Sequence, residues 1–178
     1  MSKTALQSSE LDSSHQPTLA AEAWLEKLAT ELSSDTPTNA ADLFEETAFW
    51  RDLIVFTWNI KTLEGRDAIR QMIAATMDNT RPCNWQVEGN ATQADGVTEA
   101  WITFDTGVAH GRAYVRIRDG LAWTFLTTMT ELIDYPEKRN KLRPKGTEHG
   151  ANKNRQTWLE KRQHEDVTLG YTEQPYCL

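Results

Sequence analysis

No stretch of this chain approaches the ~18 uninterrupted apolar residues that a membrane-spanning helix needs. Its first residues hold neither an apolar signal core nor an Arg-rich amphipathic face. The expectation is therefore a cytoplasmic protein with no membrane partner. Cysteine is scarce too: Cys83 and Cys177 stand far apart with no CxxC spacing, so neither a disulfide framework nor a metal site is expected. The histidines, His15, His110, His149 and His164, show no spacing that gathers metal ligands on one helix face. No serine or cysteine sits in a nucleophile elbow. Positive charge is short as well, with 19 Lys and Arg against 26 Asp and Glu and a net charge of -7. That balance opposes binding to nucleic acid or to an anionic membrane surface.

Tryptophan, in contrast, is plentiful: Trp24, Trp50, Trp58, Trp85, Trp101, Trp123 and Trp158 fall within 178 residues. They supply aromatic lining for a pocket, or simply an aromatic core. The length and the 39% hydrophobic content suit one domain with appendages. Residues 1–18 are polar and read as a disordered N-terminal segment. Residues 19–32 place Leu19, Ala23, Trp24, Leu25, Leu28 and Leu32 at helical spacing. A short second helix is expected at 39–44 and a third at 66–77, where Ile69, Met72, Ile73 and Met77 form an apolar stripe. Strands follow at 84–93, 97–106, 110–118 and 121–133, punctuated by Ala94-Asp95-Gly96, Gly107 and Asp119-Gly120. Helices first and a meander afterwards predict an α+β domain, cone-shaped, with three helices packed on a curved, mainly antiparallel sheet. Such a domain has room for a cavity between helices and sheet. The long last strand alternates Leu121, Trp123, Phe125, Thr127 and Met129 against their neighbours, so one face is available to a second subunit and a homodimer is expected.

The sharpest candidate site lies in residues 49–58. Read as one strand, they put Trp50, Asp52, Ile54, Phe56 and Trp58 on one face, a lone carboxylate among apolar groups. Burial there disfavours the charged form, which suits Asp52 to general acid or base work on a small apolar molecule. The plainer alternative is that Asp52 pairs with Arg112 or Arg116, or accepts backbone N–H bonds. Trp24, Trp50, Phe56, Trp58, Met72, Trp101, His110 and Trp123 are the expected pocket lining, with His110 either at its mouth or in solvent.

The order helix, helix, strand, helix, meander, with Gly65-Arg66-Asp67-Ala68-Ile69-Arg70 opening the third helix, resembles the nuclear-transport-factor-2-like superfamily. The likeness spans residues 19–134 and is nearest its SnoaL-like polyketide cyclase and ketosteroid isomerase branches. Ketosteroid isomerases carry their aspartate base on the strand before the corresponding helix, the position Asp52 holds here. Their oxyanion hole needs a tyrosine and a protonated aspartate. The first helix here has no tyrosine and no second acid takes that place.

A narrower resemblance rests on Phe49-Trp50-Arg51-Asp52-Leu53, Trp58-Asn59, Leu63-Glu64-Gly65-Arg66, Arg116-Ile117-Arg118-Asp119-Gly120, Ala122-Trp123-Thr124, Gly146-Thr147-Glu148-His149-Gly150 and Thr172-Glu173-Gln174-Pro175-Tyr176. Together they look like the N-terminal region of certain flavin-containing monooxygenases, where a domain of this kind precedes a dinucleotide-binding domain. The resemblance makes residues 135–178 a basic linker and helix, anchored by Trp158 and Leu159, leading towards a flavin domain. The chain has no GxGxxG to seat a pyrophosphate, so FAD and NADPH are expected only where that domain is present. Two functions follow. One is a pocket or dimerisation module partnered with a flavoprotein; the other is a free-standing cyclase, isomerase or dehydratase with Asp52 as base on a small apolar carbonyl compound.

Overall fold

The structure is a computed structural model that describes residues 3–143, 146 and 156–168, with side-chain surroundings from residue 15 onward. Two compact units divide the chain, Met1–Glu137 and Lys138–Leu178. In the first, helix α1 (Lys3–Leu32) leads through a 3-10 helix at Pro37–Leu43 into strands β1 (Phe44–Leu53) and β2 (Ile60–Glu64). Helix α2 (Arg66–Thr80) follows, then β3 (Cys83–Ala94), β4 (Val97–Asp105), β5 (Ala109–Arg118) and β6 (Leu121–Leu132). The second unit contributes helix α3 (Trp158–Thr168), with Trp158, Leu159 and Val167 exposed. The sequence motifs at 147–150 and 172–178, with His149 and Cys177, lie outside the described residues.

Helix α1 starts at Lys3 instead of at Leu19. It runs through Pro17, which is buried, and Thr18 accepts a hydrogen bond from the Ala91 N–H at 3.0 Å, tying this part of the helix to β3. Helix α2 buries Ile69, Met72, Ile73 and Met77 on the predicted stripe, each contributing roughly 1.5–3 kcal/mol by transfer from water. Gly65, Arg66 and Arg70 of its N-terminal motif have structural roles. Gly65, at φ 83, turns the chain, and Arg66 clamps the Phe44 carbonyl with two bonds at 2.9 and 2.7 Å. Arg70 reaches the Thr38 carbonyl at 3.0 Å and Asp42 at 2.7 Å, fixing the 3-10 helix against α2.

The six strands form one sheet in the order β2-β1-β6-β5-β4-β3. Every neighbouring pair is antiparallel except β1 and β6, which run parallel. The three hairpin strands expected after residue 96 match within a residue or two, whereas β2 was not foreseen. Alternation divides each strand between an inner face covered by helices and an outer face. On β5 the inner set is Ala109, Gly111, Ala113, Val115 and Ile117. Gly111 is required there, because a Cβ would stand 2.4 Å from the Phe104 ring. A bulge in β6 opposite Arg116 and Ile117 breaks the expected alternation: Phe125 and Thr127 turn inward while Trp123 packs with the outward arginines.

Aromatic rings fill the centre of the space between helices and sheet, and clefts open only at its margins. Trp24, Phe44, Trp50, Phe56, Phe104 and Phe125 occupy that centre, each 3% exposed or less. Their rings meet mostly edge to face at centroid separations such as 4.8 Å for Trp50 and Phe125 and 5.7 Å for Trp24 and Phe125, geometries that aromatic quadrupoles favour.

Candidate functional site

Strand β1 ends at Leu53, five residues before the sequence pattern places its end. Ile54 and Trp58 both take positive φ, 78° and 53°, and the Trp58 N–H donates to the Ile54 carbonyl at 3.0 Å, closing a turn. A β-branched residue at such a φ is strained, so something must hold it. Asp52 does. Its Oδ2 accepts from the backbone N–H of Phe56 at 3.1 Å and of Thr57 at 2.8 Å, and from the Thr57 hydroxyl at 2.7 Å. Its Oδ1 accepts from the Phe56 N–H at 3.2 Å and from the Thr127 hydroxyl at 2.9 Å. Thr127 in turn accepts from the Trp50 indole N–H at 2.9 Å.

Asp52 is wholly buried, and its two oxygens accept from Phe56, Thr57 and Thr127. The backbone N–H alternative foreseen for it is the one realised, at the end of the strand. Arg112 and Arg116 lie on the other face, paired with Glu88 and Glu99. Asp52 lines none of five clefts that open along the helices and turns among the described residues. The predicted lining residues divide. Phe56 and Met72 border one cleft beside α2, Phe56 and Trp58 a second, and Trp24 a third, while Trp50 is enclosed in the core; Trp58 is 62% exposed on its turn, and Trp101, His110 and Trp123 belong to the outer face. Sequence reasoning missed Thr57 and Thr127, whose hydroxyls complete the Asp52 cluster.

The outer face is the most heavily furnished surface. Arg112 stacks over Trp101 at 4.0 Å while donating to Glu88 at 2.7 Å. Arg116 lies 4.7 Å and Arg118 4.8 Å from the Trp123 ring centre. Arg116 donates to Glu99 at 2.8 Å, and Arg118 grips both oxygens of Glu45 at 2.6 and 2.7 Å. Tyr114 packs on Trp101 at 4.7 Å, its hydroxyl pushed above the ordinary tyrosine range by burial and then by Glu99. Further along the sheet, Phe49 and Ile60 are 42% and 62% exposed. At the far end, His110 and Asp105 are hydrogen-bonded at 2.6 Å, and Asn84 donates to the same carboxylate at 2.9 Å. These two partners hold Asp105 below the usual carboxylate range, Asn84 more than His110.

Among the described residues no cluster of His, Cys, Asp and Glu could hold a metal ion, and no helix is long and apolar enough to cross a membrane. No family model and no curated protein matches the sequence. Solved structures match the fold. A protein of unknown function from Mycobacterium tuberculosis is 13% identical, the match covering 71% of this chain and 79% of that one at a TM-score of 0.53. A putative isomerase from Bacillus subtilis is 16% identical, with 64% and 88% covered and a TM-score of 0.50. An NTF-2 like protein of unknown function from Burkholderia xenovorans is 12% identical, with 71% and 89% covered and a TM-score of 0.46. At such identities the likeness to the first two is one of fold, an α+β cone with a curved six-stranded mixed sheet.

Proposed function

We propose that the Met1–Glu137 unit is a noncatalytic assembly module that pairs with a second copy of itself through the outer face of its sheet, in association with a flavin-dependent monooxygenase. The observation that carries this reading is the outer face itself. Trp101, Tyr114 and Trp123 stand there with Arg112, Arg116 and Arg118, and with Phe49 and Ile60 beyond them. So many half-exposed and exposed aromatic and aliphatic groups on one sheet face are unusual on a surface meant for water. Aromatic residues and arginine are the groups enriched at the centres of interfaces. The arginines are already neutralised by Glu45, Glu88 and Glu99, so burying them against a copy leaves no unpaired charge. The same neutralisation argues against a nucleic-acid partner. The cyclase or isomerase reading needs a reachable base, and the five bonds on Asp52 weigh against it. The flavoprotein association rests on the sequence resemblance.

Sedimentation of the full chain tests the pairing. A dimer at micromolar concentration is expected, and Trp101→Glu should weaken it at least tenfold while leaving the circular dichroism unchanged. A monomer across that range, or a dimer indifferent to Trp101→Glu and Tyr114→Glu, would overturn the proposal.

A further inference from the structure

At one end of the sheet the turns joining β3 to β4 and β5 to β6 meet α1 and border a cleft of about 320 Å³. Its size is at the lower end of the range for small-molecule sites, roughly 300–1,000 Å³. The α1 residues that line it, Ala20, Ala23, Trp24 and Lys27, recur at the spacing of one helix face. Opposite them runs a cross-strand row, Gln93, Thr98 and Ile117, in register on β3, β4 and β5. The charged lining groups are of opposite sign: Lys27 on the helix and Asp119 on the β5–β6 turn. Neither is in an ion pair among the described residues, with the other or with any third group.

A second observation concerns Thr98. The residue is 4% exposed, yet its hydroxyl makes no hydrogen bond among the described residues. The other buried threonines, Thr80, Thr106 and Thr127, all use theirs. The Thr98 oxygen is not sealed in, as the orphaned Trp85 indole nitrogen is, and the surface it keeps opens into the cleft that the residue lines. Buried polar side chains nearly always have a partner, so an unanswered hydroxyl at the floor of a cleft marks the place of a ligand's polar atom.

We infer that this cleft binds a small zwitterion of the amino-acid class: its carboxylate faces Lys27 and accepts the Thr98 hydroxyl, and its ammonium faces Asp119. A ligand of a single charge answers one of the two ions and is repelled by the other. The cleft lies on the helix side of the sheet, so it stays open whether or not the outer face is covered.

The test titrates the full chain, labelled with nitrogen-15 and assigned by through-bond correlations, with three probes of one skeleton: leucine, 3-methylbutylamine and 4-methylpentanoate. Leucine should shift the backbone N–H signals of Thr98 and Gly120 saturably, and the amine and the acid should each bind at least tenfold more weakly. Lys27→Gln and Asp119→Asn, both at exposed positions, should each weaken leucine at least tenfold and leave the melting temperature in place. Asparagine tolerates the left-handed backbone that Asp119 holds at φ 51, so the turn survives. Thr98→Val should weaken leucine severalfold without lowering the melting temperature, because the hydroxyl has no bond to lose. No saturable shift with leucine, an equal response to either analogue, or indifference to both charge substitutions would each overturn the inference. So would a melting temperature that falls in Lys27→Gln and Asp119→Asn alike, since the two would then be serving each other.

Discussion

Replacing Asp52 by asparagine keeps the shape of the side chain but turns one of its two acceptors into a donor. That donor would face the N–H groups of Phe56 and Thr57, and would be answered only if the Thr57 or Thr127 hydroxyl turned from donating to accepting, giving up the bond it makes to the charged carboxylate. Leaving buried polar groups unmatched costs about 1–3 kcal/mol, more where a charge is involved. Asp52→Asn should therefore lower the melting temperature by several degrees, and Thr127→Val, which strands both Asp52 and the Trp50 N–H, should do likewise. Thermal denaturation followed by circular dichroism checks both; an unchanged transition in Asp52→Asn would instead suit a residue kept for chemistry. The sequence showed that Asp52 sits among rings beside Trp50 and Phe56. It did not show which way the chain goes next, because alternation holds only while the strand continues. The aspartate's own side chain ends it by capping the turn. Thr57 and Asn59 were the local signals of that turn, Asn59 accepting from the Ile54 and Ile60 N–H groups.

At the scale of elements, Asp105 binds the ends of three strands, taking a bond from Asn84 on β3 and pairing with His110 on β5 while itself ending β4. Its folded carboxyl lies below the ordinary value of 3.8. The charged form is favoured by folding, so its stabilisation is complete above about pH 4 and disappears as the pH falls through the depressed folded value. Melting temperatures of the natural chain and Asp105→Asn should accordingly differ near neutrality and converge towards pH 2. A gap that stays constant with pH would show that the carboxylate charge is not what matters. The later hairpins were legible because Asp95-Gly96 and Asp119-Gly120 supply the positive φ angles those turns need. Strand β2 was not, since Ile60–Glu64 is a short edge strand with only Leu63 buried, and burial on one face is what makes alternation visible.

For the whole molecule, the core is contained within Met1–Glu137 and α3 buries none of its residues. A chain ending at Glu137 should fold on its own, with a melting transition within a few degrees of the intact protein; failure to fold would show that the second unit contributes to the first. The cone was readable from the order of its elements. The filling of its interior was not, because whether rings line a space or occupy it depends on distances between residues as remote as Trp24 and Phe125.

The position of β6 has a consequence for biosynthesis. The last of the sheet's strands to be made lies in its middle, between β1 and β5. Until Leu132 has emerged from the ribosome, the nascent chain can hold only two half-sheets, β2 with β1 and β5 with β4 and β3, each with an open edge. Pairing across that distance in sequence is slow. The newborn chain is therefore most exposed to aggregation and to chaperones just before its final strand arrives.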